Sequence, residues 1–433
     1  METELTLDEI VSFEKTYSFS RSIEGEGEYR HIHYGDIHTK LPSIIENSEI
    51  LPEITEEDNF KVIQKGDILV ADASEDYKDL GKAVCYMGND EKVIAGLHTH
   101  LLRCNKEMVN PEYLINLFQT NRYKKFVWRM GTGVSVLGLS KNNLGKYEIF
   151  LPTLEEQKKK ANFFNILNKK IQLQQQKIDL LQEQKKGFLQ KMFPKAGEKQ
   201  PQVRFAGFTD DWEQRKFGEI ITERREKTKI ENEDTLLSSA IDGMYLNSEL
   251  FSHFRGKSNI GYLKIRKNDM ILSAQNLHLG NCNINQRFEH GIISPAYKVY
   301  SLVNVDAAFM HAWIKKDSTK QFFENATTEG ASVCRKNIEW GTLYSQKIYI
   351  PIYSEQQKIG ELFNVLDRRI QLQQQKLELL QKQKKDSCKR CLFKFLAKGF
   401  GDGTKEKIRL LFWSWCRIRI WFTFGWKVRI RYL

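Results

Sequence analysis

The sequence lacks the features that define several familiar functional classes. No apolar run of about 18 residues occurs, so a membrane-spanning helix is not expected. The opening METELTLDEI is acidic and has no apolar stretch of a signal peptide. No glycine-rich loop ends in the lysine of a Walker A motif, which argues against ATP binding of that kind. The seven cysteines are scattered, apart from Cys388 and Cys391, so a reduced cytoplasm is the expected compartment.

The basic charge of the chain is concentrated at its C-terminal end. The whole chain has a formal net charge of +12. From Asp386 onward there are 12 Lys and Arg against 3 Asp and Glu, a net charge of +9, which leaves +3 for residues 1–385. Because the body of the chain is only mildly basic, the overall charge does not by itself predict nucleic-acid binding.

One stretch of the sequence occurs twice. Residues 149–186 and 348–385 are 199 positions apart and agree at 21 of 38 aligned positions, with IQLQQQK common to both copies. The spacing is far too long for a solenoid repeat and predicts two similar halves. The segments that precede the two copies differ widely, but each has a Lys-Gly/Asn-Asp turn before an apolar strand, at Lys65–Asp67 and at Lys267–Asp269.

Both copies of the repeat predict a long helix. Thr153 and Ser354 each begin a capping-box pattern after a proline. Apolar residues then alternate three and four apart, the pattern by which two helices pair in a coiled coil. A glutamine (Gln174 and Gln373) and a lysine in each copy interrupt this seam, which would fix the register. A single helix packed on its own domain is the alternative. The predicted seam residues are Leu167, Ile171, Ile178, Leu181, Leu366, Ile370, Leu377 and Leu380.

These patterns predict an α+β protein with pseudo-two-fold organisation, in which two globular recognition domains are joined by two long antiparallel coiled-coil helices. Pro194, Gly197 and Pro201 indicate a linker after the first helix. The predicted segments are a first domain (1–150), a central helix (151–194), a linker (195–202), a second domain (203–349), a second helix (350–385) and an anomalous tail (386–433).

The arrangement resembles the specificity subunit of Type I restriction-modification systems. The resemblance covers residues 1–385 and is carried by the paired helices with their LQQQK core and by VRFAGFTDDWEQRKFGEI, residues 203–220. It implies that each globular domain reads half of a bipartite, asymmetric site in double-stranded DNA. It also implies two methyltransferase subunits docked on the helices, and restriction subunits that complete the nuclease. The chain itself would be non-catalytic and hold no cofactor; its partners would use S-adenosylmethionine, ATP and Mg²⁺.

Candidate DNA contacts follow from residue type. Arginine, histidine and tyrosine can donate to phosphates, and arginine can read guanine in the major groove. The segment EYRHIHYGDIH therefore provides the first candidates, and basic residues beside glycine-rich turns provide others in each half. The candidates are Arg30, His31, His33, Tyr34, Lys124, Lys125, Arg129, Lys141, Asn276, Arg335 and Lys336.

Two other chemistries, metal binding and methyl transfer, are not predicted. The pairs His31 with His33 and His98 with His100 could bind a metal, but nothing in the sequence indicates that they converge, so no metal site is predicted. Asn110-Pro-Glu-Tyr113 resembles the loop with which amino-methyltransferases grip a flipped base. A helix cap with proline at the first helical position explains it better, and no catalytic residue is predicted.

The tail is predicted to be out of frame. The first copy continues after Lys186 as GFLQKMF, and the second continues after Lys385 as DSCKRCL. Dropping one base from a back-translation of the first reproduces the second. Ser387 and Cys391 then stand where Phe188 and Met192 stand, which removes apolar area from the helix pair.

Two rival functions remain. One is a coiled-coil adaptor whose domains bind protein, and the other is a specificity subunit that is inactivated by its tail.

Overall fold

The computed structural model describes residues 3–90, 92–252, 258–332 and 335–396. The chain divides into two compact units. The first unit comprises the chain up to Gln172 together with the end of the last helix from Glu378, and the second comprises Leu173–Leu377. In the described residues, no helix combines the length and the apolar character needed to cross a membrane.

The globular part of the first unit is a mixed β structure with short helices. A five-stranded sheet has the order Val11–Glu14, Thr99–Cys104, Ile68–Ala71, Ala83–Tyr86 and Ile44–Ile45. A three-stranded sheet has the order Glu53–Ile54, Glu24–Ile32 and Val93–Ala95. Two-stranded pairs are Thr3–Thr6 with Glu148–Leu151 and Ala73–Ser74 with Leu137–Gly138. The helices, including 3₁₀ turns, are Leu7–Ile10, Arg21–Ile23, Tyr34–Thr39, Ser48–Ile50, Pro111–Phe118, Asn121–Met130 and Lys141–Gly145.

The globular part of the second unit is built from similar parts. A four-stranded sheet has the order Ile221–Arg224, Tyr297–Leu302, Met270–Ser273 and Cys282–Ile284. The two-stranded pairs are Glu213–Lys216 with Lys347–Ile350, Leu237–Ala240 with Gly243–Leu246, Leu263–Arg266 with His290–Ile293, and Thr327–Ser332 with Arg335–Ile338. The helices and 3₁₀ turns are Phe217–Glu219, Asn247–Leu250, Leu277–Leu279, Ala307–Ile314, Asp317–Glu324 and Trp340–Ser345.

The predicted Lys-Gly/Asn-Asp turns are confirmed, and each ends in a buried aspartate. Strands begin at Ile68 and Met270, directly after the two turns. Asp67 accepts two hydrogen bonds from the guanidinium of Arg103, at 3.1 and 2.7 Å, and Asp269 accepts one from Arg224 at 2.6 Å. Gly66 and Asn268 have φ of 95° and 69°, a backbone conformation that glycine and asparagine adopt most easily. The two halves therefore share this turn despite their divergent sequences.

The two predicted long helices are present as Leu154–Lys191 and Tyr353–Leu396, called here the first and second long helix. Thr153 caps the first, because its Oγ1 accepts from the backbone N–H of Glu156 at 3.3 Å. The prediction that Ser354 caps the second is wrong. That helix already begins at Tyr353, and the N–H of Glu355 is bound by the carbonyl of Ile352 at 2.9 Å.

A buried glutamine anchors the start of each long helix to its own globular domain. Gln157 donates to the carbonyl of Pro152 at 2.9 Å and accepts from the N–H of Asn110 at 2.8 Å. Gln356 repeats this arrangement, donating to Pro351 O at 2.9 Å and accepting from the N–H of Asp306 at 2.8 Å. Both glutamines are buried, and they occupy the same position in the repeat. The repeated sequence thus encodes a repeated joint between helix and domain.

Within the second unit the two long helices contact each other through polar side chains, three of which, Gln174, Lys185 and Gln373, stand at predicted seam positions. Gln174 Nε2 donates to Oε1 of Gln373 at 2.8 Å and to its backbone carbonyl at 3.0 Å. The ammonium of Lys185 donates to the carboxylate of Asp367. Contacts later in the first helix therefore fall earlier in the second, which is the order expected of antiparallel neighbours.

We expect Gln157→Ala and Gln356→Ala each to destabilise the protein by about 2–4 kcal/mol. Each change removes at least two hydrogen bonds and leaves a backbone donor and a carbonyl unsatisfied in a buried site. Urea unfolding followed by circular dichroism would show the lower midpoint. Gln176→Ala, at an exposed position of the first long helix, is the control and should leave the midpoint unchanged. Equal midpoints for all three variants would contradict the anchoring role.

Candidate nucleic-acid interface

The first predicted cluster, Arg30 to Tyr34, lies at the end of the middle strand of the three-stranded sheet. Arg30 sits opposite Glu53 on the neighbouring strand. Its guanidinium donates to Glu53 Oε1 at 2.5 Å and to the carbonyl of Leu51 at 2.7 Å. The guanidinium of Arg30 therefore already donates hydrogen bonds to internal partners, and only some of its N–H groups remain for DNA.

The two histidines of this cluster are buried and structural in this conformation. His31 is fully buried, with Nε2 3.3 Å from Oε1 of Glu24. His33 caps the helix Tyr34–Thr39, because its Nδ1 accepts from the N–H of Gly35 at 3.1 Å. Burial lowers the pKa of both imidazoles. In this conformation neither histidine is placed to contact DNA, since His31 is fully buried and His33 is only 6% exposed; their role in DNA binding stays a prediction.

The accessible members of this region are Tyr34 and His98. The ring of Tyr34 is half-buried and packs edge-on against His98 at 5.2 Å between centroids. His98 is exposed, has φ of 52°, and its Nδ1 lies 3.2 Å from Oδ1 of Asp72. His100 faces the same carboxylate at 3.9 Å. Among the residues that the structure describes, no group of three or more His, Cys, Asp or Glu is arranged to hold a metal ion.

The second predicted cluster forms an exposed surface on the helix Asn121–Met130. Tyr123, Phe126 and Val127 are buried on one face of this helix, which leaves Lys124, Lys125 and Arg129 exposed on the other. The short helix that begins at Lys141 is joined to it, because Asn143 donates to the carbonyl of Met130 at 3.1 Å. The structure therefore brings the four predicted basic residues of this region onto two adjoining helices.

Two apolar side chains that the sequence reasoning did not select lie beside these basic residues. Trp128 is about half exposed and is held by a 2.6 Å hydrogen bond from its indole N–H to the carbonyl of Tyr77. Val134, on the loop that joins the two helices, is fully exposed. The basic and apolar residues Lys124, Lys125, Trp128, Arg129, Val134 and Lys141 are called here the helix–loop surface. The stretch RYKKFVWR, in which aromatic and basic residues are interleaved, is the sequence signal from which Trp128 could have been predicted.

In the second unit the predicted residues lie around the helix Asp317–Glu324. The 3₁₀ turn Leu277–Leu279, which follows the half-buried Asn276, packs on this helix. Glu324, the last residue of the helix Asp317–Glu324, accepts from the ammonium of Lys336 at 2.8 Å. Arg335 begins the second strand of the hairpin Thr327–Ser332 with Arg335–Ile338, and its side chain lies outside the described part of the chain. Asn276 and Lys336 are thus brought to one helix.

The predicted seam residues divide into two groups by exposure. Four are buried, namely Leu167, Ile178, Leu366 and Ile370. Four are half-buried, namely Ile171, Leu181, Leu377 and Leu380. In addition, each long helix carries an apolar stripe at heptad spacing away from the seam, with side chains between 42% and 66% exposed. These stripes, which the sequence analysis did not identify, are Ile166, Leu173 and Leu180 on the first helix and Val365, Leu372 and Leu379 on the second.

Comparison with known protein families gives the same division of the chain. The family model of the type I restriction modification DNA specificity domain matches twice, at residues 2–183 and 209–382. Each match contains one globular region, and together they cover most of the chain. The chain therefore belongs to the type I restriction-modification specificity family, and within it the chain is a specificity subunit with two copies of the domain.

Individual relatives agree with this assignment. A putative type I restriction enzyme MjaX specificity subunit from Methanocaldococcus jannaschii is 24% identical over 341 residues, which cover 74% of this chain and 76% of the relative. The crystal structure of a type I restriction-modification S subunit from M. genitalium aligns with a TM-score of 0.55 at 14% identity, covering 90% of this chain and 95% of that one. A structure described as the basis of complex assembly and conformational transition of the type I R-M system aligns with a TM-score of 0.50 at 14% identity, with coverage of 90% and 97%.

Proposed function

We propose that this chain is the DNA-reading and scaffolding subunit of a type I restriction-modification complex that recognises a bipartite, asymmetric site in double-stranded DNA. The observation that carries the proposal is the repeated joint formed by Gln157 and Gln356. Each joint fixes a long helix to one globular domain. Two readers on helices that pair as an antiparallel coiled coil would sample half-sites a fixed number of base pairs apart.

The candidate reading surfaces of the two halves differ in structure as well as in sequence. The helix–loop surface of the first unit presents basic side chains with exposed Trp128 and Val134. The corresponding stretch of the second unit, ahead of the strand that leads into the second long helix, is a β-hairpin with Lys336. Different surfaces on a common frame support two unlike half-sites, with phosphate contacts from lysine and arginine setting the position of each reader.

The exposed apolar stripes support the docking of partner proteins on the long helices. Leu173 and Leu372 lie at the same repeat position, and both are more than half exposed. An apolar row at heptad spacing is the surface on which another helix packs. Because there are two such stripes, related by the repeat, two methyltransferase subunits fit the arrangement, with restriction subunits joining the assembly.

On this proposal the chain performs no chemistry. Methyl transfer from S-adenosylmethionine and ATP- and Mg²⁺-dependent cleavage would belong to the partner subunits, in the cytoplasm. The chain would contribute the choice of site, by holding the methyltransferases at defined positions on the DNA. Methyl transfer by the isolated chain would overturn this division of labour.

The first test is to co-express this chain with a matching methyltransferase subunit and to map modified adenines by single-molecule sequencing. We expect methylation at one bipartite, asymmetric motif with a fixed gap. The variant Lys124→Glu with Lys125→Glu should lower methylation at that motif by at least tenfold, because it replaces phosphate attraction with repulsion. Lys195→Glu with Lys199→Glu, an equal charge change at exposed positions after the end of the first long helix, is the control.

The same experiment separates the proposal from its rival. Methylation without a common motif, or a motif that lacks two separated parts, would contradict the bipartite reading. Sequence-specific binding of duplex DNA would exclude a coiled-coil adaptor whose domains bind only protein. Equal loss of methylation with both charge variants would contradict a role of the helix–loop surface in DNA recognition.

A further inference from the structure

In the first unit a tight turn at residues 96–98 holds the backbone of His98 in place. The carbonyl of Gly96 accepts a hydrogen bond from the hydroxyl of Thr99 at 2.7 Å. The carbonyl of His98 accepts from the N–H of Asp72 at 3.1 Å. His98 has φ of 52°, a left-handed conformation that is uncommon for residues other than glycine and persists where surrounding contacts enforce it. The turn therefore fixes the point from which the imidazole projects.

The imidazole ring of His98 is oriented as well. Its Nδ1 lies 3.2 Å from Oδ1 of Asp72, and the ring of Tyr34 packs edge-on against it with 5.2 Å between centroids. Tyr34 is itself tied to the turn, because its N–H donates to the carbonyl of Leu97 at 3.3 Å. The His98 side chain is nevertheless 49% exposed. It thus differs from the exposed lysines of the helix–loop surface, whose long stems are flexible.

The contact with Asp72 also sets the hydrogen-bonding character of the other ring nitrogen of His98. An ionised carboxylate only accepts, so Nδ1 carries the hydrogen of this contact, and in the neutral imidazole Nε2 is then an acceptor. Among the residues that the structure describes, none forms a hydrogen bond with Nε2. Phosphate oxygens are acceptors too, and the charge of Asp72 repels them. The matching partner is a donor, and the donors in the major groove of DNA are the amino groups of adenine and cytosine.

His98 adjoins the helix–loop surface. The strand Ala73–Ser74 directly follows Asp72 and pairs with Leu137–Gly138, at the end of the loop of that surface. The N–H of Leu139 donates to the carbonyl of Asp72 at 2.7 Å, and the N–H of Asp72 donates to the carbonyl of His98. Two such steps between neighbouring chain segments span about 10 Å, which is less than the width of the major groove, about 12 Å. One duplex can therefore contact both His98 and the basic residues.

We propose that His98 reads one base pair of the DNA site, by accepting a hydrogen bond at Nε2 from the amino group of an adenine or a cytosine in the major groove. Asp72 is the positioning residue, since it orients the ring and fixes its tautomer. The proposal rests on the DNA-reading function proposed above and adds to it a residue and a chemical group. The basic side chains of the helix–loop surface set the position of the DNA, and His98 discriminates between bases.

The first experiment compares the full-length chain with His98→Gly, each co-expressed with a matching methyltransferase subunit, on a library in which the positions of the parent's motif are randomised. Glycine removes the imidazole and accepts the positive φ without strain. We expect discrimination to fall by about fivefold or more at one or two adjacent positions of one half-site. The other half-site should keep its preferences, which shows that the variant folds and assembles.

Two further variants test the assignment of roles. Asp72→Asn should relax the same positions as His98→Gly, because an amide can donate or accept and no longer fixes the tautomer of the imidazole. Asn304→Gly is the control, because Asn304 is also exposed and has φ of 54°. It should keep the parent's preferences at every position.

The second experiment removes the amino group from the DNA. At the relaxed position, away from the methylated adenine, purine replaces adenine or 2-pyrimidinone replaces cytosine in a synthetic duplex. The parent should methylate the altered duplex at least about fivefold less efficiently than the natural one. His98→Gly should show a smaller loss, because it has no acceptor for the amino group, and this comparison separates the contact from weaker base pairing.

Three results would overturn the proposal. They are an unchanged profile for His98→Gly, a uniform loss at all positions of the motif, and equal sensitivity of the parent and His98→Gly to removal of the amino group. A parent that shows no bipartite motif contradicts the proposed function and this inference together. A bipartite motif that His98→Gly leaves intact contradicts this inference alone.

Discussion

A chain in which GFLQKMF replaces Asp386–Leu392, and which ends there, is expected to assemble with its methyltransferase and to methylate DNA at least about tenfold more efficiently than the present sequence. In the second unit Met192 and Phe193 are core residues, 3% and 2% exposed. Phe193 lies in an aromatic cluster with Trp212, Phe309 and Phe363. Losing such side chains from a core costs about 2–5 kcal/mol each.

The repeat places Cys391 and Leu392 at the positions of Met192 and Phe193. If the tail is out of frame as predicted, the lost apolar side chains include two at the repeat positions of core residues, in addition to those at the end of the helix pair. The backbone of the second long helix continues through this stretch to Leu396, while residues 397–433, including the basic aromatic tail, lie outside the described part of the chain. The measurements are thermal unfolding and the adenine methylation assay. A chain cut after Lys385 serves as the comparison, and it tests whether removing the tail is sufficient.

No gain from either the repaired or the shortened chain would contradict the hypothesis that the tail inactivates this subunit. A gain on shortening alone would assign the effect to the tail as an obstruction. A gain that requires GFLQKMF would assign it to the missing apolar side chains.

Leu173→Asp combined with Leu372→Asp is expected to abolish binding of the methyltransferase subunit, with a loss of affinity of at least about a hundredfold. Both leucines are more than half exposed, so the substitutions leave the fold of this chain intact. In a complex, each would bury an unpaired carboxylate against an apolar partner helix, which costs several kcal/mol. Size-exclusion chromatography with light scattering would show the missing complex.

The matched control carries the same new charges on the side of each helix that faces away from the stripe. Gln182→Asp with Gln381→Asp changes two exposed polar positions of the same helices, each two residues after a stripe leucine and therefore on the opposite side of the helix, and should leave assembly intact. Equal assembly by both double variants would mean that the stripes do not bind the partner. Loss of assembly in both would mean that charge, rather than the apolar rows, governs docking.

Features that depend on local sequence were predictable. The cap at Asn110 is confirmed, since its side chain accepts from the N–H of Tyr113 at 2.8 Å and Pro111 begins the helix. The turns before Ile68 and Met270 were also predicted from local sequence, and strands begin directly after them. Backbone geometry at such sites is set by a few neighbouring residues, and these residues are visible in the sequence.

Burial that depends on distant strands was not predictable. His31 belongs to a strand that is paired on both sides, with Glu53–Ile54 and with Val93–Ala95. The residues of EYRHIHYGDIH do not by themselves indicate that His31 lies on the middle strand of a sheet. Trp128 and Val134 were missed for the opposite reason, because apolar residues are expected to be inside, and only the packing of a helix shows which of them are left outside.

The contact between Gln174 and Gln373 joins a residue to its own repeat counterpart, since the two are 199 positions apart. Such a contact is self-complementary, as in an isologous interface between identical subunits. In a dimer of two chains of half this length, this glutamine would contact the same glutamine of the second copy. A substitution there would have altered both sides at once, whereas in the present chain each side can change separately. Because both copies of the repeat lie in one chain, the two globular domains need not be identical.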